Sequence, residues 1–162
     1  MTDREKKAKE YEGHIIQLVR KKDRCIWSSP SNQYANIDGL TYDSVTHEMI
    51  SAYEIKCRNL SLPQLLMDYE GELIVDASKM EVLQSISRSL RIPSFLICYC
   101  LRDGVVLKTK ITNDSGLFVC DKKETTREIS AGMDKPTTTK KVSHIKLDGT
   151  IILSTKEPTG TI

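Results

Sequence analysis

Two carboxylates and a lysine stand in strand-like stretches of this chain: Asp38 in YANIDGLTYD, and Glu54 with Lys56 in SAYEIKCRN. Charge is normally kept out of such stretches, so these three residues need a reason to be there. Side chains alternate faces along a strand, so Glu54 and Lys56 project to one side while Tyr53 and Ile55 project to the other. If the strand carrying Asp38 pairs with the next, two carboxylates come side by side and repel unless a cation sits between them. A hard divalent ion such as Mg²⁺, with Mn²⁺ as a substitute, takes oxygen ligands, keeps several waters and suits that pair. Lys56 would then lie beside the ion, placed to orient or deprotonate a water and to offset charge building at phosphorus. That is the outline of phosphodiester hydrolysis. The blander account of a bare Glu-x-Lys is the solvated face of an edge strand, and the surrounding elements have to decide between the two.

Those elements follow from the hydrophobic pattern. Residues 3–22 set Ala8, Tyr11, Ile15, Ile16, Leu18 and Val19 among Lys and Glu at the spacing of an amphipathic helix. RCIWSS, YANIDGLTYD and THEMISAYEIKCRN follow as three short strands, the last two a hairpin turning near Asp43 and Ser44. After a connection with Pro63 and a short helical turn through QLLMDY, a second long helix runs through DASKMEVLQSISRSLR. Asp76 or Ser78 is its N-cap, and Val82, Leu83, Ile86 and Leu90 are its apolar stripe. SFLICYCL is a buried strand, which Asp103-Gly104 turns back into VVLKTKIT. LFVCD, TTREIS, TTTKKVSHIKL and TIILS predict further hairpins, with a weakly ordered tail after Thr155. This order implies one α/β domain, a mixed central sheet flanked by helices, with a core over about 3–112 and a C-terminal β-hairpin extension over about 113–155.

Helical phase adds two charged residues to the first three. Glu12 shares the stripe of Ile15, Ile16 and Val19, whereas Glu10 groups with His14 and Gln17 on the wetter side and Glu5 lies near a fraying end. Lys79 precedes Val82 and Leu83 by three and four positions, which turns it toward the sheet. Each alone is equally well a side chain snorkelling from a helix margin. Arg58 continues the Lys56 side of its strand, and Ser28, Ser29, Ser31, Asn32 and Gln33 offer phosphate-bonding groups before Asp38. Arg58, Ser29 and Asn32 are the candidate nucleic-acid contacts, although an ordinary polar loop explains the last two more simply. Lys122, Lys123, Arg127, Lys140 and Lys141 would form a basic arm against a duplex or a lysine-protected sheet edge.

Taken in order, a Glu on the first helix, Ile37-Asp38 on a second strand, Tyr53-Glu54-Ile55-Lys56 on the third and an inward Lys on the next helix resemble the PD-(D/E)XK nucleases. Archaeal Holliday-junction resolvases share this arrangement. The resemblance covers roughly residues 5–112, within the boundary error of such readings. It implies a restriction-endonuclease-like αβββαβ core in which Asp38 and Glu54 bind the metal, the Ile55 carbonyl completes the site and Lys56 is catalytic. By the same resemblance Glu12 is the helix-one acid and Lys79 holds the fourth-motif position. DNA is the favoured substrate, duplex or branched, and a homodimer is implied because such enzymes often pair two sites to cut two strands. Ile37 replaces the namesake proline, which relatives often lack. An RNA-processing nuclease and a catalytically inactive nucleic-acid-binding module of the same fold are the alternatives. A module released from catalysis would have no reason to keep charges in apolar strands at a cost in stability.

Composition narrows the remaining classes. A net charge of +2 does not by itself announce nucleic-acid binding. No apolar run approaches the roughly 20 residues of a membrane helix, and the charged start MTDREKKAKEYEGH lacks a secretory signal, so a cytoplasmic protein is expected. Five cysteines form no CxxC pair and read as reduced, mostly buried thiols. Three histidines have no zinc-ligand spacing with them, and neither a phosphate-binding GxxxxGK[ST] loop nor a GxGxxG turn is present. No nucleophile elbow or Cys–His signature places a Ser or Cys in a site.

Overall fold

Apolar residues at every third or fourth position favour helices here, and clusters of β-branched and aromatic residues favour strands. The computed structural model describes residues 3–20, 26–28, 36–129, 138–148 and 150–154. Its elements are α1 (Asp3–Arg20), β1 (Ile26–Ser28), β2 (Gly39–Tyr42), β3 (Met49–Arg58), α2 (Leu62–Asp68) and β4 (Glu72–Asp76), followed by α3 (Ala77–Leu90), β5 (Ser94–Cys100), β6 (Val105–Thr112), β7 (Lys122–Ile129), β8 (Thr138–Lys146) and β9 (Thr150–Ser154).

Six strands form one mixed sheet in the order β1-β2-β3-β5-β6-β9. The first three are an antiparallel meander, β3 and β5 run parallel with Glu54 beside Leu96, and β6 and β9 continue antiparallel. The α/β class and the mixed sheet are as expected. A second, three-stranded antiparallel sheet, β4-β8-β7, is not. Its β4 strand, ELIVD, falls where a bare connection was expected, and the C-terminal segment is no appendage. β8 is the middle strand of the second sheet and β9 closes an edge of the first. Within LFVCD, Phe118 makes only an isolated bridge to Thr112. The tail after Thr155 lies outside the described residues.

The two faces of the large sheet bury different partners. On one, Ala52, Leu96, Cys98 and Leu107 pack with Met80 and Leu83 of α3 and with Leu73, Val75 and Ile145 of the second sheet. On the other, Tyr53, Ile55, Ile97, Tyr99 and Val106 pack with Ile15 of α1. The two long helices therefore cover opposite faces. In α3 the buried residues are Ala77, Met80, Leu83 and Ser87, with Val82 and Ile86 partly buried and Leu90 exposed, so the buried stripe is rotated from the expected one. Buried Ser87 is satisfied by Thr112, whose hydroxyl also meets that of Ser94. Asp76 occupies the N-cap position without capping, and its carboxylate pairs instead with Lys140 at 2.5 Å. Cys98 and Cys100 are buried free thiols, Cys57 and Cys120 are partly buried, and Cys25 lies outside the described residues. Among the described residues no helix is long and apolar enough to cross a membrane.

Candidate active site

The site forms where β2 stops pairing with β3. Gly39 is paired with Tyr53, and the Asp38 N–H still donates to the Tyr53 carbonyl at 3.3 Å. β3 then runs on to Arg58, and among the described residues no strand continues the ladder along that edge. Its backbone groups would be orphaned there. Asp38, 8% exposed and just outside the strand that was expected to contain it, answers the first of them: its Oδ2 accepts from the Ile55 N–H at 2.7 Å. Since the N–H and C=O of one strand residue point to the same edge, the Ile55 carbonyl faces the Asp38 side as well.

Strand alternation turns Glu54 and Lys56 to the α3 face. Glu54 is 1% exposed, and its Oε1 accepts from Lys56 Nζ at 2.6 Å. Lys79, in the first turn of α3, reaches the other oxygen, with Nζ 3.5 Å from Oε2, and donates to the Asn36 carbonyl at 3.2 Å. Oε2 nonetheless accepts no hydrogen bond and is fully buried. An ion pair in water would pull the Glu54 carboxyl down. Burial here pushes it above its ordinary value, Asp38 pushes the same way, and Lys56 and Lys79 oppose without cancelling. Burial alone would lower the Lys56 ammonium, but the Glu54 charge and hydrogen bond outweigh it and hold Lys56 raised. Lys56 is therefore a firmly protonated cation, which fits stabilisation of negative charge better than removal of a proton from water.

Asp38, Glu54, Lys56 and Lys79, brought from three segments, thus meet as expected. Glu12 does not join them. α1 covers the Tyr53–Ile55 face of β3, and the Glu12 carboxylate makes itself felt at Cys57, whose thiol is pushed up to about 12 by burial and then by that negative charge. The phase argument placed Glu12 on the buried side of its helix, but that side faces away from Glu54. Arg58 donates to the Cys57 and Ile74 carbonyls at 3.1 Å each, so its guanidinium ties the end of β3 to β4. Ser29 and Asn32 lie outside the described residues, as do Ser31, Gln33 and the side chain of Ser28. The Asn36 carbonyl that receives Lys79 went unforeseen, because a backbone acceptor leaves no mark in residue type.

Among the described residues no three His, Cys, Asp or Glu side chains gather into a group able to hold a metal ion. The protein oxygens on offer are two carboxylates, Asp38 and Glu54, and the Ile55 carbonyl. A Mg²⁺ that keeps several of its waters needs no more than one or two carboxylates, and Glu54 Oε2, though 3.5 Å from Lys79 Nζ, accepts no hydrogen bond, so the residues fit such an ion. No family model, curated protein or solved structure matches the chain.

Proposed function

We propose that this chain is a metal-dependent nuclease of the PD-(D/E)XK type that hydrolyses the phosphodiester backbone of DNA. The observation that carries the reading is the convergence of Asp38, Lys56 and Lys79 on the fully buried Glu54 carboxylate, one oxygen of which accepts no hydrogen bond. A solvated strand face would leave Glu54 exposed and its lysines loose, which disfavours the blander account of Glu-x-Lys. Further support comes from element order: α1, the β1-β2-β3 meander, α3 and the parallel strand β5 follow the αβββαβ order that the resemblance implies, with α2 and β4 inserted.

Asp38, Glu54 and the Ile55 carbonyl would hold the ion, Mg²⁺ with Mn²⁺ as substitute. When bound, such an ion supplies Lewis-acid polarisation of a phosphoryl oxygen and a water of lowered pKa. Lys56, kept protonated by Glu54, offsets the charge that develops on the phosphoryl oxygens, while its hydrogen bond to Glu54 Oε1 keeps its Nζ in place. Lys79 acts as a positioning residue: it steadies Glu54 and, through the Asn36 carbonyl, the segment that delivers Asp38. Two copies in a homodimer would address both strands of a duplex.

Incubation with supercoiled, linear, single-stranded and four-way-junction DNA in Mg²⁺, Mn²⁺ or EDTA tests the reading. Cleavage should require the divalent ion and vanish in Glu54→Gln. Intact substrates throughout, with correctly folded protein, would refute it.

A further inference from the structure

The β7–β8 pair outgrows the body of the protein. β8 is joined to β4 only from Val142 to Lys146, so Thr138–Lys141 and their β7 partners Thr126–Ile129 form a two-stranded ribbon. From Glu124 to Glu128 and from Thr138 to Lys141 every residue is exposed, and none of these nine side chains is apolar. A stretch of nine exposed polar side chains gains little from the core and still costs backbone entropy to order. Its charge is one-sided. β7 and β8 carry six Lys or Arg against two Glu, a surplus of four in a chain whose net charge is +2.

The internal pairs do not absorb that surplus. Glu124 is shared by Lys122 at 2.8 Å and Lys141 at 2.5 Å, whereas among the described residues Lys123 and Arg127 have no carboxylate partner. Alternation puts Lys123, Thr125 and Arg127 on one face, with Lys140 directly across from Arg127. It is the face of the small sheet opposite the core-facing Leu73, Val75 and Ile145, and Lys140 on it pairs with Asp76, which immediately precedes α3.

At about 3.3 Å per residue the four paired positions of the ribbon extend roughly 13 Å. The major groove of B-form DNA, about 12 Å wide and 8.5 Å deep, admits a two-stranded ribbon, while the deep, narrow major groove of A-form RNA does not. We infer that the β7–β8 ribbon lies in the major groove of duplex DNA, with Lys123, Arg127 and Lys140 against the flanking phosphates. This rests on the nuclease reading for nucleic acid as the substrate, and it selects DNA over RNA by groove shape.

The test compares the parent chain with Lys123→Ala/Arg127→Ala and with Lys7→Ala/Lys110→Ala, which removes two charges on the α1 side of the sheet. Affinity for a short DNA duplex is measured in EDTA across a salt series, with dimethyl sulfate footprinting of the bound complex. Losing two phosphate contacts should flatten the log–log salt slope by about 1.8 and weaken binding ten- to a hundred-fold near 0.1 M salt, whereas the control stays close to the parent. Guanine N7, which lies in the major groove, should be protected by the parent and not by the ribbon variant. An unchanged slope and affinity in the ribbon variant, or protection confined to minor-groove adenine N3, would overturn the ribbon assignment while leaving cleavage by the parent to support the nuclease. Binding with no cleavage of any substrate in Mg²⁺ or Mn²⁺ would overturn the nuclease and leave the ribbon standing, and a parent that binds no duplex would overturn the ribbon assignment, with cleavage of the other substrates deciding the nuclease separately.

Discussion

Lys56→Met probes how the buried carboxylate is held. Methionine preserves most of the apolar stem but removes the ammonium 2.6 Å from Glu54 Oε1, leaving a 1%-exposed carboxylate with only Lys79, 3.5 Å from its other oxygen. Asp38 still repels it. Burial already holds the Glu54 carboxyl above its ordinary value against the pull of Lys56, so without Lys56 it rises further. A carboxyl whose folded pKa exceeds its unfolded value binds more protons in the native state between those two values. Stability therefore falls as pH rises through that window, by up to about 1.4 kcal/mol per pH unit for one group. Lys56 in the parent has the opposite profile: raised in the fold, it contributes stability fully present below the unfolded lysine pKa of about 10.4 and lost only above it. It adds no slope of its own near neutrality.

The difference between variant and parent should accordingly be small near pH 5, where Glu54 can take up a proton. It should grow toward about 3–5 kcal/mol above pH 8, the usual cost of leaving a buried charge without its partner. Urea melts of both proteins across that range give the difference directly, and groups common to both cancel. Lys56→Met/Glu54→Gln should lose the added slope, because nothing is left to protonate. Parallel curves for parent and Lys56→Met would refute the account, showing that the carboxylate is solvated or is held by something other than Lys56.

Asp38→Ala should lose about 1–3 kcal/mol by orphaning the Ile55 N–H, whereas Asp38→Asn keeps an acceptor there and should melt close to the parent; both should lose Mn²⁺ affinity by titration calorimetry. Glu12→Gln should lower the Cys57 thiol from about 12, read as faster alkylation at a given alkaline pH, and should leave cleavage nearly intact, because α1 covers the Tyr53–Ile55–Cys57 face of β3, opposite Glu54. Gly116→Ala should cost about 2 kcal/mol or more in a melt. Gly116 has φ +74°, and a Cβ there would meet Arg88 Cβ at 2.9 Å and the Gln84 carbonyl at 3.0 Å.

Asp38, Glu54, Lys56 and Lys79 are legible in the sequence because charge inside an apolar pattern is a local anomaly, and because the period of two fixes which strand residues share a face. Glu12 is misplaced for a reason of the same kind. An apolar stripe tells which side of a helix is buried, not which face of a sheet covers it. With α1 on the Tyr53–Ile55 face and α3 on the Glu54 face, the alternation that joins Glu54 to Lys56 separates both from Glu12. β4 is illegible because its partner β8 lies some seventy residues downstream, with Glu72 set against Lys146, and no turn links them.

What the sequence pattern cannot express is that the site depends on pairing that stops. Had β2 continued alongside β3, the Ile55 N–H and C=O would both have been consumed by the ladder and the Asp38 carboxylate would have had no donor to meet. Because β2 begins at Gly39, the missing ladder bond to Ile55 N–H is replaced by a carboxylate, and the Ile55 carbonyl is left on the same edge. Parallel pairing to β5 on the other side keeps this stretch of β3 extended, so Glu54 still points to α3 and Lys79. One interrupted ladder beside one uninterrupted ladder thus seats Asp38 on the open edge of β3 and Glu54 on its α3 face, both buried, an arrangement that neither a fully paired strand nor a free loop would produce.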